Sequence, residues 1–292
     1  MKIGCVIVVY NPGKNLELQV RKLKKLDKII VVDNNSSNKN ELNKLKDMNN
    51  VSIIFNDKNI GLAGGQNQGL KECMKSDINW LLLLDDDSEI EENYVNELVK
   101  KLKKIENNKN IGMIGSNILY KHNNKISRYP VKSYFFIIRK KIEDIKEKDE
   151  IMCIMASGSI INMEAIKKIG EFKESFFIDH IDIEYCLRMK VNNYKIIVDK
   201  NLKLYQRVGN TVEKVFLGVK VYPTNHNSGR QYTKFKNAVL TWKKYFFKET
   251  KFVIYDMLLM LHHLLRIIIF ESPKGEKLKN IAKGIKDGII EN

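Results

Sequence analysis

At 292 residues, with 43% hydrophobic and 29% charged positions, 4 Pro and 16 Gly, the chain has the composition of a folded protein with a sizeable core, which excludes a disordered or fibrous one. Its formal net charge of +16 asks for an anionic partner. Lysines scattered along helical faces such as RKLKKLDK supply most of that charge, and no arginine-rich tract, aromatic RNA-binding signature or zinc spacing argues for nucleic acid.

The N-terminal KIGCVIVVY is too short an apolar run for a signal peptide and reads as a first strand. KIIVVDN, VSIIFND and NWLLLLD follow as further strands, and their continuous rather than alternating apolar residues predict burial on both faces. Between them NLELQVRKLKKL, ELNKLKDM and GLAGGQNQGLKECMK have helical spacing, the β-α-β pattern of an open, mostly parallel sheet. Ligands of such sheets sit outside the carboxyl ends of the strands, where Tyr10, Asn11, Asp33 to Ser36, Asn56, Asp57 and Asp85 to Ser88 fall. After the helix EENYVNELVKKLKKIE, the stretches IGMIGSNILYK and IMCIMASGSIINM predict strands of mixed direction around a long lysine-rich insertion, 121 to 150. DIEYCLRMKV predicts a helix, YKIIVDKNLKLYQ a closing strand, and from about residue 228 the chain turns helical. No uninterrupted apolar stretch is long enough to cross a bilayer. Cys5, Cys73, Cys153 and Cys186 lie far apart without a CxxC pair, so each is expected to pack as a small apolar residue rather than bind zinc or form a disulfide framework.

Three stretches carry candidate chemistry. Asp85, Asp86 and Asp87 end a buried strand; helix capping accounts for one or two of them, whereas an Asp-x-Asp pair projecting to one side suits a hard divalent cation that also binds a diphosphate. NIGLAGGQNQGL is neither a dinucleotide fingerprint nor a Walker loop. Its glycines serve either close packing or the approach of a phosphate to backbone N–H groups, with the amides of Gln66 and Asn67 suited to a ribose or diphosphate. In ESFFIDHIDIEYCLRM, Asp179, Asp182 and Glu184 fall within six positions beside an aromatic pair; one caps the following helix, and the cluster also suits a general base shielded from water.

Taken in order, VVYNP, VVDNNS, NIGLAGGQNQG, LLLDDDS, ASGSIIN and FFIDHIDIEYCLR resemble the inverting glycosyltransferases of family 2, most closely the bacterial branch that uses dTDP-L-rhamnose, over roughly residues 3 to 245. The resemblance implies an α/β fold of the GT-A type: a Rossmann-like, mostly parallel sheet merged with an acceptor-binding half, plus a helical C-terminal extension. It implies a catalytic domain over 1–227, nucleotide-binding in 1–105 and acceptor-binding in 106–227, with the extension over 228–292. By motif it places Tyr10 and Asp33 on the nucleoside and Asn59, Gly61, Gln66 and Asn67 near the sugar nucleotide. Asp85 and Asp87 then hold Mg²⁺ or Mn²⁺ on the diphosphate, with Asp86 in a lesser role. Ser157, Gly158 and Ser159 form a turn near sugar and acceptor. Asp182 becomes the catalytic base, with Asp179, His180 and Glu184 positioning sugar or base. The expected partners are dTDP-rhamnose and a glycan or lipid-linked glycan acceptor, at the cytoplasmic face of the membrane, without nucleic acid.

Two positions depart from the family pattern. Gln206 stands where relatives carry a metal- or phosphate-binding His, which leaves a weaker third metal ligand and gives Arg207 a compensating part on the diphosphate. Asn193 stands where Gly is usual and tolerates the same left-handed turn. Further on, His226, Arg230, Tyr232 and Asn237 line an acceptor or diphosphate side or simply pack a helix. FVIYDMLLMLHHLLRIIIF suits a membrane surface, a core helix or a homodimer contact. The competing functional readings are a UDP-sugar transferase such as a galactofuranosyltransferase, a nucleotidyltransferase, and a non-catalytic sugar-nucleotide-binding module.

Overall fold

The computed structural model describes residues 1–291 apart from 124, 208, 210, 212 and 217. The chain separates into two compact units, one of residues 1–131, 139–177 and 181–206, the other of 132–138, 178–180 and 207 onward.

In the first unit the chain runs β1 (Ile3–Val9), α1 (Leu16–Lys22), β2 (Lys28–Asp33), α2 (Asn40–Asn43), β3 (Val51–Phe55), α3 (Gly61–Met74), β4 (Trp80–Asp85), β5 (Glu89–Ile90) and α4 (Tyr94–Ile105). It continues through β6 (Ile111–Tyr120), β7 (Lys125–Ile126), β8 (Arg128–Lys132), β9 (Ile137–Lys141), β10 (Glu150–Ile151), β11 (Ile160–Asn162), α5 (Met163–Ile169), α6 (Ile181–Val191) and β12 (Lys195–Gln206), while the tip joining β8 to β9, residues 132–138, belongs to the second unit. Among the described residues nine of these strands form one sheet in the order β3-β2-β1-β4-β11-β6-β12-β5, with β7 beside β6. The β1–β2, β2–β3, β1–β4 and β6–β12 pairs are parallel, and β11 runs antiparallel between β4 and β6. Helical crossovers enforce the parallel half, while the chain returning through β11 inserts the antiparallel strand that joins the two halves.

The expected strands β1, β2 and β4 are buried through nearly their whole length. β3 is not: as the edge of the sheet it is half-buried or exposed throughout, which corrects the expectation of burial on both faces. α2 is a single turn. The lysine-rich insertion is folded rather than a loop, with β10, β8 and β9 forming a three-stranded sheet. All four cysteines are free thiols, three of them buried, as the packing reading anticipates.

The second unit holds a hairpin, β13 (Lys214–Phe216) with β14 (Val219–Val221), and the helices α7 (Ser228–Tyr245), α8 (Thr250–Phe270) and α9 (Lys274–Ile290). Phe235, Ala238, Met260, Ile267 and Ile281 form its core. α9 approaches α7 through Gly284 and Gly288, whose positions leave a Cβ only 2.4 and 2.8 Å from the carbonyl oxygens of Tyr232 and Lys236. α8 corrects a further expectation: His262, His263 and Arg266 interrupt it without breaking it, and with 21 residues and a mean hydropathy of 1.8 over its most apolar 18 it is long and apolar enough, by length and composition, to cross a membrane.

Candidate active site

The polar residues that follow β1, β2 and β4 gather at the carboxyl end of the parallel strands. Asp33, fully buried as the last residue of β2, accepts the Ser36 N–H on one carboxylate oxygen at 3.0 Å; among the described residues its other oxygen is buried without a partner. Tyr10, just past β1, is exposed, and its N–H donates to Asp86 Oδ2 at 3.4 Å. Asn34, which sequence reasoning gave no role of its own, bridges two loops: its Nδ2 donates to the Gly61 carbonyl at 2.9 Å and its Oδ1 accepts from Asn56 at 3.1 Å.

The glycine-rich stretch serves packing. Gly61 has φ +81°, and a Cβ there would meet the Phe177 ring at 2.5 Å; Gly69 leaves α3 so close to β1 that a Cβ would lie 2.5 Å from Val6 Cγ1. The first amides of α3 are already used. Gly61 N–H donates to the exposed Asn59 side chain at 2.9 Å, and Leu62 and Ala63 both donate to the Phe177 carbonyl, at 2.6 and 3.4 Å. These bonds form a structural clasp at the head of α3, and a phosphate bound there would have to exchange with them. Asn67 belongs to the same clasp, since its amide donates to Phe172 O and Glu174 Oε1 and accepts from Phe172 N–H, each at 2.9 Å. Gln66 differs: it is buried, and its Oε1 has no partner among the described residues.

The aspartate triplet sits at the turn from β4 to β5. Ser157 Oγ accepts the Asp85 N–H at 3.0 Å and lies 2.7 Å from Ser88 Oγ, so the Ser157–Ser159 turn, with Gly158 at φ +79°, braces the triplet directly. Gly158 N–H donates to Leu83 O at 2.8 Å, and Ser159 Oγ donates to Ala156 O at 2.7 Å, which fixes the turn. Because β5 pairs with β12 through Leu204 and Tyr205, the next residue, Gln206, arrives beside Asp85 and donates Nε2 to its Oδ2 at 3.0 Å. Gln206 is buried, and its Oε1 has no partner among the described residues. Asp87 is exposed, and burial followed by the Asp87 charge pushes the Asp86 carboxyl up to about 6. Sequence reasoning missed Gln19, whose Nε2 donates to the Asp85 carbonyl at 3.0 Å; an amide on the otherwise apolar buried face of α1, between Leu16 and Val20, was the available signal.

The residues of the third stretch have separate surroundings. Asp182 lies in the first turn of α6, half-buried, and its Oδ1 accepts the Ile183 N–H at 2.9 Å. Glu184 is buried against Arg188 at 2.5 Å, and Arg188 also donates to the carbonyls of Ile169 and Glu171, so this acid secures the start of the segment that clasps α3. In the second unit Asp179, at φ +64°, accepts a two-pronged bond from Arg230 at 2.8 and 3.1 Å. Burial works to raise its carboxyl, but Lys234 and Arg230 outweigh that and hold it at about 2. His180 Nε2 meets Asp256 Oδ2 at 3.2 Å, and Asp256 also accepts from Trp242 at 2.7 Å. Arg207 is exposed, whereas His226 is buried. Asn237 donates to the carbonyls of Ile178 and Asp179, both at 3.0 Å, so it holds the turn that sets Asp179. Tyr232 donates to Asp287 at 2.8 Å. Among the described residues no three His, Cys, Asp or Glu side chains converge as a metal cage.

Residues 5–170, more than half of the chain, match the model of glycosyl transferase family 2. The chain belongs to that family. The transferase is 28% identical over 299 positions to dTDP-rhamnosyl transferase RfbF of Shigella flexneri, covering 98% of this chain and 95% of that one. It is 25% identical over 206 positions to the low-salt glycan biosynthesis hexosyltransferase Agl10 of Haloferax volcanii, covering 66% and 63% of the two chains. Its fold matches GalNAc-T7 solved with UDP, GalNAc and Mn²⁺, with a TM-score of 0.62 at 14% identity over 100% of this chain and 56% of that one. It likewise matches S. aureus TarS 1-349 in complex with UDP-GlcNAc, at 0.61 and 14% over 99% and 81%. The transferase spans 43% of the longer TarS chain. The architecture is thus that of the GT-A glycosyltransferases, with helices following the sheet at the C-terminus.

Proposed function

We propose that the transferase moves L-rhamnose from dTDP-L-rhamnose to a glycan or lipid-linked glycan acceptor in one displacement that inverts the anomeric carbon. The observation that carries the donor is the end-to-end similarity to a dTDP-rhamnosyl transferase. The buried, unpartnered oxygens of Asp33 and Gln66 offer acceptors for the N–H and O–H groups of a nucleoside. Asp182 takes the proton of the acceptor hydroxyl as that oxygen bonds to the anomeric carbon and the bond to the diphosphate breaks.

The donor set at the triplet fits a hard cation. Asp85 and Asp87 supply carboxylate oxygens, and Gln206, beside Asp85, has a buried carbonyl oxygen that a half-turn of its amide would present to an ion. Mg²⁺ or Mn²⁺ held there would offset the charge left on the departing diphosphate.

A uridine donor is the second reading, favoured by fold neighbours solved with UDP or UDP-GlcNAc. Calorimetry with dTDP-rhamnose, dTDP, UDP-GlcNAc, UDP-galactose and UDP, each with Mn²⁺, Mg²⁺ or chelator, separates the two. Metal-dependent binding restricted to thymidine nucleotides, lost in Asp85→Asn and Asp87→Asn, is the expected result. Preference for uridine nucleotides would sink the rhamnosyl assignment, and binding indifferent to chelator would sink the cation.

A further inference from the structure

The second unit leaves one face of α8 uncovered. Ile254, Leu258, Leu261, Leu265 and Ile268 recur at three- and four-residue spacing and are all exposed, Leu258 at 61%, and among the described residues no charged side chain is exposed on this helix. A soluble surface helix ordinarily turns its charges outward. Lys251, one turn before Ile254 on the same face, donates to the carbonyls of Ser133 and Tyr134 and lies 5.9 Å from the centre of the Tyr134 ring. It thereby fixes the tip of the β8–β9 hairpin against the start of the stripe. That tip is aromatic and outward, with Tyr134 82%, Phe135 75% and Phe136 61% exposed, and Phe247, just before α8, is 93% exposed. Lys132 anchors the other side of the tip on Glu249 at 2.8 Å.

We infer that this face, the stripe of α8 extended by the hairpin tip, seats the transferase on an anionic lipid surface with α8 lying in the plane of the headgroups. The inference is independent of which sugar nucleotide is bound. Length alone would let α8 cross the bilayer, but its opposite face carries Asp256, bonded to His180 and Trp242, and His263, 2.9 Å from Gln231 Oε1. Crossing would strip these buried polar groups of their partners, whereas an in-plane helix keeps them. Charge selects the occupant. Residues 207–292 hold sixteen Lys and Arg against seven Asp and Glu, with Lys248 exposed at one end of the stripe and Lys274 at the other. A second copy would bring the same positive field against itself, while acidic headgroups neutralise it. The aromatic tip suits the same boundary, where rings settle at headgroup depth.

The test uses the full chain and vesicles of phosphatidylcholine, with and without phosphatidylglycerol, by flotation at low and high salt, with mass measured by light scattering. Binding to the acidic vesicles is expected, weakened about tenfold by high salt or by omitting the acidic lipid. Leu258→Glu combined with Leu265→Glu should lower it by about tenfold or more, and Phe135→Ser by less. The melting temperature should hold, since all three side chains already face outward. Should the double variant melt early, Phe135→Ser carries the test, because the tip lies outside the helix packing. Failure to bind acidic vesicles at low salt would overturn the inference. So would a dimer that the glutamates split while vesicle binding is unchanged, which would assign the face to a second copy.

Discussion

Asp86 and Asp179 lie in the two acidic stretches of a strongly basic chain, and their surroundings pull them in opposite directions. Burial and the neighbouring Asp87 raise the Asp86 carboxyl to about 6, with little more than the Tyr10 N–H working against them. Burial also works to raise Asp179, but Lys234 and Arg230 lie close enough to hold it at about 2. At Asp86 a neighbouring acid adds to the effect of burial, whereas Asp179 carries counter-charges close by within the fold. Glu184 follows the second pattern through Arg188. Acidic residues on a basic chain therefore report function only once the position of each counter-charge is known.

The strongest way to break this contrast is at Asp182, the member of the second stretch assigned to chemistry. Asp182→Asn keeps the shape and an acceptor oxygen for the Ile183 N–H but removes the base. Turnover should fall about 10²- to 10⁴-fold while nucleotide affinity stays within about twofold. Steady-state kinetics beside calorimetry decides it: parallel loss of binding and turnover would make Asp182 a structural acid like its neighbours.

Arg230→Ala tests the internal counter-charge. Removing one partner of a buried ion pair costs about 3–5 kcal/mol, and because the Arg230 side chain is 35% exposed the cost here should be nearer 2 kcal/mol. Denaturant unfolding measures it. Adding Asp179→Asn to that variant should recover part of the loss, because no charge is then stranded. An unchanged midpoint in Arg230→Ala would mean that Lys234 alone satisfies Asp179.

How much of this was legible beforehand follows from the range of the interactions. Strand ends could be read because continuous apolar runs such as Cys5 to Val9 and Leu81 to Leu84 stop abruptly at polar residues, and that local pattern placed Asp33 and Asp85 on one end of the sheet. The glycine-rich stretch was ambiguous because the deciding atoms are distant in sequence: Gly61 is required by the ring of Phe177, and Asn67 by the backbone of Phe172. The same distance hid Gln19 beneath Asp85 and the pairing that brings Gln206 to it. Arg230 was visible as a charge near an acceptor side, but its grip on Asp179, 51 positions away, belongs to tertiary structure alone.

Lys234 gives the smallest and most discriminating prediction, because it acts on acids and bases at once. His226 is lowered to about 4 by burial and then by Arg230 and Lys234, and His263 to about 3 by burial and then by Lys234 and Arg266. Both are neutral in the folded protein below their ordinary 6.5, while the unfolded chain takes up protons there. Their contribution is complete above pH 6.5 and declines as the pH falls from 6.5 towards about 4 for His226 and about 3 for His263. Asp179 works in a lower window: its depressed carboxyl stabilises the fold above its ordinary 3.8 and loses that contribution as the pH falls towards about 2. Lys234→Met relaxes both. The two histidines should rise towards their ordinary range, which flattens the loss of stability between about pH 7 and about pH 5, while Asp179 gives up part of its counter-charge across that same range. The net change near pH 7 should be a loss of about 1 kcal/mol, shrinking as the pH approaches 5. Denaturant midpoints measured across this range, alongside His226→Gln and His263→Gln, separate the contributions. A Lys234→Met curve that runs parallel to the unaltered protein would show that burial, with Arg230 and Arg266, keeps the histidines neutral without Lys234, and would reduce the second stretch to the Asp179–Arg230 pair.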